Sequence, residues 1–418
     1  MEHRRERLVM AGSRIRAASR PVAAALLALA LVAVGGCETS SREDAGGNAR
    51  EATAGGPTVG AAATTTRGAE LRAALTYLLT ERVHLVVEHA RALGAAQGQR
   101  DAAAVVAARR ALASSAVDTV DVLGTSYSDA EPLLTPALRA HDDELLEHTE
   151  VLVAGEELTR TLSRLDDRRD ELASAVRQVV PRLRSQDVDA ALAAATSSTL
   201  DAVRAAVEGS PRAPALQRVA DEAAWSTARL LAVGVSVDRD LGLAGSPASE
   251  LRGRLTGLLT EHVLLAGGLA ARLAEASGDV DDPQVQAATA ALDASAVSLA
   301  ELFGHSSPET AGPVLLAWRD HVRELSERAR ARAAGRAPTA AGPDYLARLQ
   351  SALGERGGPR LPRLDEVGAR AATSLRIAVD AAATSSRTAP EALRQAAADS
   401  VVPAAVLASA VAEQLQLS

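Results

Sequence analysis

The sequence predicts an all-α protein: two tandem homologous helical bundles after a signal peptide and a disordered tether. Three observations predict it. Beyond residue 68 the chain is dominated by alanine, leucine, arginine and glutamate, all strong helix formers. No stretch combines period-two alternation of β-branched residues with turn chemistry. A long segment also recurs about 180 residues downstream, which marks duplicated domains and not a short-repeat solenoid.

Residues 1–36 read as a lipoprotein signal peptide. Arg4, Arg5, Arg7, Arg14, Arg16 and Arg20 make a positive leader, followed by an uninterrupted apolar run from Pro21 to Val34. That run is too short to span a bilayer, which takes about 20 residues, and it fits the core of an export signal. Val34-Gly35-Gly36-Cys37 resembles a bacterial lipobox, and Cys37 is the single cysteine in the 418-residue chain. The resemblance implies lipidation of Cys37 and removal of residues 1–36. The expected location is the cell membrane, lipid-anchored at Cys37 on the extracytoplasmic face. Residues 1–36 carry six arginines against two glutamates, so the net charge of −8 becomes about −12 beyond them. Such a surface repels anionic lipid, which leaves attachment to the acyl chains. Residues 37–68 are rich in Gly, Ala, Thr and Ser and lack hydrophobic periodicity. They read as a disordered tether with an r.m.s. reach of roughly 30 Å.

The two copies are expected at 69–245 and 249–418. Leu71-Arg72, Leu75-Thr76 and Leu78-Leu79-Thr80-Glu81 recur as Leu251-Arg252, Leu255-Thr256 and Leu258-Leu259-Thr260-Glu261. The same offset carries Ser115-Ala116-Val117 to Ser295-Ala296-Val297, and Arg139 and His141 to Arg319 and His321. About 28 of the 71 positions from Leu71 to His141 are identical. The register then drifts by a few residues. About six helices are expected per copy, or five where the third and fourth run together as one. Thr66 and Ser246-Pro247 open the first helix of each copy. Ser128-x-x-Glu131 and Thr388-x-x-Glu391 have the capping-box spacing, and Ser307-Pro308 opens the third helix of copy two.

On the first helix of copy two, Leu251, Leu255, Leu258, His262, Leu265 and Leu269 form a stripe that turns one face inward. On the third, Val314, Trp318, His321 and Leu325 do the same. Two histidines thus lie on apolar faces, beside Glu261 and Asp320. Copy one keeps Glu81 and His141, has Arg82 in place of His262, and adds His84, His89 and His148. One reading is an interhelical divalent-metal site made of Glu261, His262 and His321. The other is a buried polar network in which the groups satisfy one another and need no cofactor. The residues leave both open. Thiol and thioether copper chemistry is excluded, because Met1 and Met10 lie in the leader and Cys37 would be lipidated.

The composition excludes other classes. Forty-five basic residues, all arginine, face 53 acidic ones, and six residues are aromatic. Nucleic-acid binding needs a basic surface and stacking rings. There is no nucleophile elbow, phosphate loop, dinucleotide fingerprint or His-Glu-x-x-His motif, so no catalytic residue is assigned and no enzyme is expected. Gly304-His305-Ser306-Ser307 reads as a loop, and Trp225 and Trp318 as core anchors.

Leu258-Leu-Thr-Glu-His-Val263 and Ala317-Trp-Arg-Asp-His-Val322 resemble motifs in uncharacterised actinobacterial lipoproteins with tandem helical-bundle repeats. The resemblance implies duplicated bundles, a Glu-His pair on a first helix and Trp-x-x-His on a later one, with no established activity. Arg82 departs from it, as do Ala223-Ala224 and Asp399-Ser400 where a His-Met pair would stand. The expected function is a membrane-anchored, non-enzymatic envelope protein, meeting an envelope protein partner or serving as a spacer.

Overall fold

Thirteen helices and no strand occur among the residues that the computed structural model describes, 59–338, 345–354, 361 and 364–418. The leader, Cys37 and most of the tether lie outside them. A short α1 (Ala61–Thr64) precedes six helices of copy one: α2 (Arg67–Ala95), α3 (Ala103–Gly124), α4 (Ala130–Ala154), α5 (Thr159–Val179), α6 (Ser185–Val207) and α7 (Ala213–Arg239). Copy two supplies α8 (Pro247–Glu275), α9 (Pro283–Ser306), α10 (Pro308–Ala333), α11 (Tyr345–Gly354), α12 (Leu364–Ala383) and α13 (Ala389–Leu415). The first helices are both 29 residues long and the last both 27.

Helix ends follow local chemistry in most places. Thr66 and Ser246 accept hydrogen bonds from the backbone N–H groups of Ala69 and Ser249, as N-cap residues do. Pro308 opens α10 after Ser307. The two expected capping boxes do not form. Ser128 donates to Asp129 and Thr388 pairs with Ser386, so neither hydroxyl caps its helix. Local side-chain partners have outcompeted the backbone. The third and fourth helices separate at Gly155, whose φ of 69° makes it a left-handed C-cap.

In copy one, α2 packs against α3, α4, α6 and α7; in copy two, α8 packs against α9, α10, α12 and α13 in the same order. The two copies lie within one unit, Thr58–Ser418, because α2 and α8 also pack on each other. They run parallel, since Arg72 near the start of α2 pairs with Glu250 and Arg91 near its end pairs with Glu275. The contact is two-fold in character. Arg72 donates to the carbonyl of Ala244, and Arg252 to the carbonyl of Thr64, 180 residues apart in both donor and acceptor.

This contact corrects the expectation of one inward face. The leucine stripe of α8 is buried, but so is the rest of that helix from Leu251 to Leu273, save Arg254, Gly268 and Arg272, which are half-buried. Small residues admit the neighbours. A Cβ on Gly257 would sit 2.6 Å from the Trp225 ring, and one on Gly253 would meet the Arg72 side chain at 3.0 Å. Copy one has Tyr77 where copy two has Gly257, and Val401 in copy two answers Trp225. Large and small residues have thus been exchanged between the two sides of the seam, which keeps both closely packed.

The tether also ends earlier than its composition suggests. Residues 59–68 are folded: Gly60 N–H donates to the carbonyl of Leu417, Ala61 N–H to Glu413, and Thr64 pairs with Ser409. The end of the tether therefore docks on α13 of the other copy. Helix α13 is long and apolar enough to cross a membrane by length and composition, but more than half of its apolar window is buried in the fold.

Candidate functional site

Polar chemistry concentrates in three buried places, the seam between the copies and the core of each copy. At the seam the repeated Thr-Glu dipeptide has an unforeseen role. Glu261, on α8, is fully buried; its Oε1 accepts from Arg218 Nε at 2.9 Å and its Oε2 from the Ser295 hydroxyl at 2.8 Å. Arg218 belongs to α7, in the other copy. The counterpart is reciprocal. Glu81, on α2, is fully buried and accepts from the Tyr77 hydroxyl at 2.9 Å, while Arg394 Nε of α13 lies 3.2 Å away. Arg394 also donates to Asp118 at 2.5 Å. Each glutamate is thus neutralised by an arginine from the opposite copy, and the ion pairs cross the seam twice.

Around Glu261 the network extends to His84, whose Nε2 lies 3.0 Å from Asp221, and whose Nδ1 faces Gln217. Burial, with the negative charge of Asp221, pushes the Glu261 carboxyl up to about 7 against the pull of Arg218. Burial likewise raises Glu81 against Arg394, Ser115 and Tyr77.

In copy two the histidines meet two aromatic rings. The His262 and His321 ring centroids are 5.2 Å apart, Trp318 meets His262 edge-on at 4.8 Å, and Tyr345 stacks on His321 at 4.3 Å. Trp318 Nε1–H donates to His262 Nδ1 at 3.1 Å. An indole can only donate, so Nδ1 is the accepting nitrogen and the ring proton of neutral His262 sits on Nε2. Nε2 of His262 and Nε2 of His321 are both buried without a hydrogen-bond partner.

The structure therefore brings together two of the three residues Glu261, His262 and His321. Glu261 is committed to Arg218 and Ser295, and a lone pair for metal at His262 Nε2 would require loss of the Trp318 hydrogen bond. Among the described residues no group of three or more His, Cys, Asp or Glu side chains is gathered as a metal ion needs. Asp320 pairs with Arg323, away from His321 on the half-exposed side of α10.

Copy one has rebuilt the equivalent place. Arg82 donates to Asp142 at 2.6 Å and approaches His141 Nδ1 at 3.3 Å, and His141 Nε2 lies 3.2 Å from the Thr196 hydroxyl. Asp142 stands where copy two has Val322, and Leu138 where it has Trp318. Arg82 is one half of a buried ion pair with Asp142. His89 and His148 are also buried, the latter 3.0 Å from the Thr161 hydroxyl. His305 is exposed at the end of α9. Trp225 is a core anchor at the seam and donates to Thr80 at 2.8 Å; Trp318 anchors the core of copy two.

Arg218, Arg394 and Tyr345 escaped the sequence reading. A signal existed for the arginines: each lies four residues after a proline near the start of its helix, Pro214 and Pro390. The offset there is 176 and not 180, so a fixed register passes over it. Comparison with protein-family models, with curated proteins and with solved structures found no match. The chain's internal duplication is the comparison that remains, and it isolates what each copy changed.

The histidines set a pH dependence. Burial pushes His262 down to about 3, and His321 well below its ordinary value with His262 and two arginines adding to the effect. A group depressed on folding binds its proton more readily when unfolded. Its stabilisation is present above about 6.5 and lost as pH falls toward 3. Glu261 and Asp142, whose pKa values burial raises, act in the opposite sense, so a difference measurement is required. Between pH 7 and pH 4, His262 is expected to account for about 3 kcal/mol of lost stability. Urea midpoints of the native chain and His262→Asn, which still offers Trp318 an acceptor, should converge on acidification. Parallel curves would refute this role.

Proposed function

We propose that this chain is a lipid-anchored, non-enzymatic envelope protein in which two bundle copies act as one rigid body on a tether, engaging a protein partner or holding a distance. One observation carries the reading: the buried acids at the seam are spent on arginines from the opposite copy. A catalytic acid or base must face a cleft where a substrate proton can reach it; Glu81 and Glu261 are closed off and neutralised. The lone Cys37 behind a small-residue tripeptide supports the anchor, and the net negative charge supports attachment by acyl chains over a basic patch.

Two experiments test the reading. Cells fed an alkyne-tagged fatty acid should label the native chain and not Cys37→Ala, and the variant should leave the membrane fraction. An unlabelled native chain, or a variant that stays membrane-bound, would remove the anchor. For the body, crosslinking of intact envelopes followed by purification should return a protein partner or a chain fixed between layers. Turnover of a small substrate with no crosslinked neighbour would overturn the non-enzymatic assignment.

A further inference from the structure

Beside the ion pairs, a cavity of about 60 Å³ opens between the copies, toward the C-terminal halves of α2 and α8. Its walls come from α2, α7, α8, α9 and α13. Because it lies on the seam, equivalent positions of the two copies face each other across it, and the duplication shows what each wall has become. Leu85 and Leu265 are retained, as are Pro214 and Pro390. Three other pairs have diverged in one direction. His84, Glu88 and Gln217 of copy one stand opposite Leu264, Gly268 and Leu393 of copy two. At these three positions copy one is polar and copy two is aliphatic or bare.

The charge of the lining favours an anion. Arg91, Arg272 and Arg394 line the cavity against the single carboxylate of Glu88. Arg394 is taken by Glu81 and Asp118. Arg91 holds Glu88, donating at 2.9 Å through Nε, and although burial alone raises that carboxyl, Arg91 keeps it below its ordinary value. Arg272 is mostly buried and reaches Glu275 at 3.3 Å, a partly exposed carboxylate that also serves Arg91. Burial and the neighbouring Arg91 push Arg272 down to about 10. Among the described residues, Arg272 is thus a mostly buried guanidinium whose one hydrogen bond, at 3.3 Å, goes to a partly exposed carboxylate that it shares with Arg91, while Arg91 has Glu88 as well.

From this geometry we infer that the seam cavity binds a short aliphatic monocarboxylate, its carboxylate between Arg91 and Arg272 and its chain against Leu264, Leu265 and Leu393. The size fits. At about one probe sphere per water, 60 Å³ holds roughly four to six non-hydrogen atoms, and butyrate is of about that size. Guanidinium suits the head group because it donates to a carboxylate in a matched plane. The site is independent of the lipid anchor and of any protein partner.

Gly268 provides the decisive variant. A Cβ there meets nothing within 4 Å, unlike Gly267, where it would collide with the Leu393 side chain. Gly268→Leu fills the cavity while improving helix propensity, so the fold should be kept. Titration calorimetry on the purified full-length chain should show saturable butyrate binding and weaker binding of butyramide and butylamine. Gly268→Leu should abolish it with an unchanged far-UV spectrum, and Arg272→Met should weaken it about tenfold or more, as loss of a charge-assisted hydrogen bond does. No saturable butyrate binding by the native chain would overturn the inference. So would undiminished binding in Gly268→Leu, or butylamine binding as tightly as butyrate.

Discussion

Arg394→Met is expected to destabilise the protein by about 3–5 kcal/mol, the cost of removing one partner from a buried charge pair. Arg394 is buried at the seam with Glu81 at 3.2 Å and Asp118 at 2.5 Å. The substitution keeps an apolar side chain of similar length and removes the positive charge, which leaves Glu81 with no cation inside the protein. Its remaining hydrogen-bond donor, the Tyr77 hydroxyl, is neutral. Glu81 would then take up a proton in place of the lost cation, so the destabilisation should shrink as pH is lowered. Urea unfolding at pH 7.5 and pH 5 checks both parts. Arg394→Met combined with Glu81→Gln and Asp118→Asn should recover much of the loss, because no buried charge is then left without its opposite. A loss that stays the same in the triple variant would show that Arg394 acts through packing alone.

Trp318→Ala is expected to cost a similar amount, about 3–5 kcal/mol, from the cavity left by a fully buried indole. The ring lies edge-on to His262 at 4.8 Å, perpendicular to Tyr345 at 5.3 Å and 5.8 Å from His321. Its removal takes away packing from three neighbours at once. Trp318→Phe separates the contributions. Phenylalanine retains much of the apolar volume but cannot donate to His262 Nδ1, which leaves a buried acceptor unpaired at about 1–3 kcal/mol. Denaturant unfolding of the two variants should place Phe between native and Ala. Equal losses would mean that the hydrogen bond to His262, and not the volume, carries the position.

Both effects bear on how much of this molecule was legible in its residues. The leucine stripe, Trp318 with His321 on a single inward face, and the Thr66 and Ser246 caps are local patterns. The helical repeat places those side chains on one side of one helix, whatever lies opposite. The meaning of Glu261 was not legible. Beside His262 in the chain, it points to Arg218 and Ser295, because consecutive helical residues face about 100° apart. Adjacency in sequence suggested a shared site, and helix geometry separated the two. Arg82 was equally opaque, since its partner Asp142 lies sixty positions away and takes on meaning only when α2 and α4 are packed together.

The sequence by itself determined the helical class, the duplication and the identity of the buried stripes, since composition, periodicity and repeats are properties of short chain segments. Tertiary structure decided that α8 is buried along most of its length, that each copy's glutamate is held by the other copy's arginine, and that a cavity lined by both copies lies between them. The physical reason is range. A hydrophobic period reports on water and core over a few turns, whereas the charge that meets Glu81 comes from Arg394, more than three hundred residues away, and is selected only when two parallel helices settle into contact.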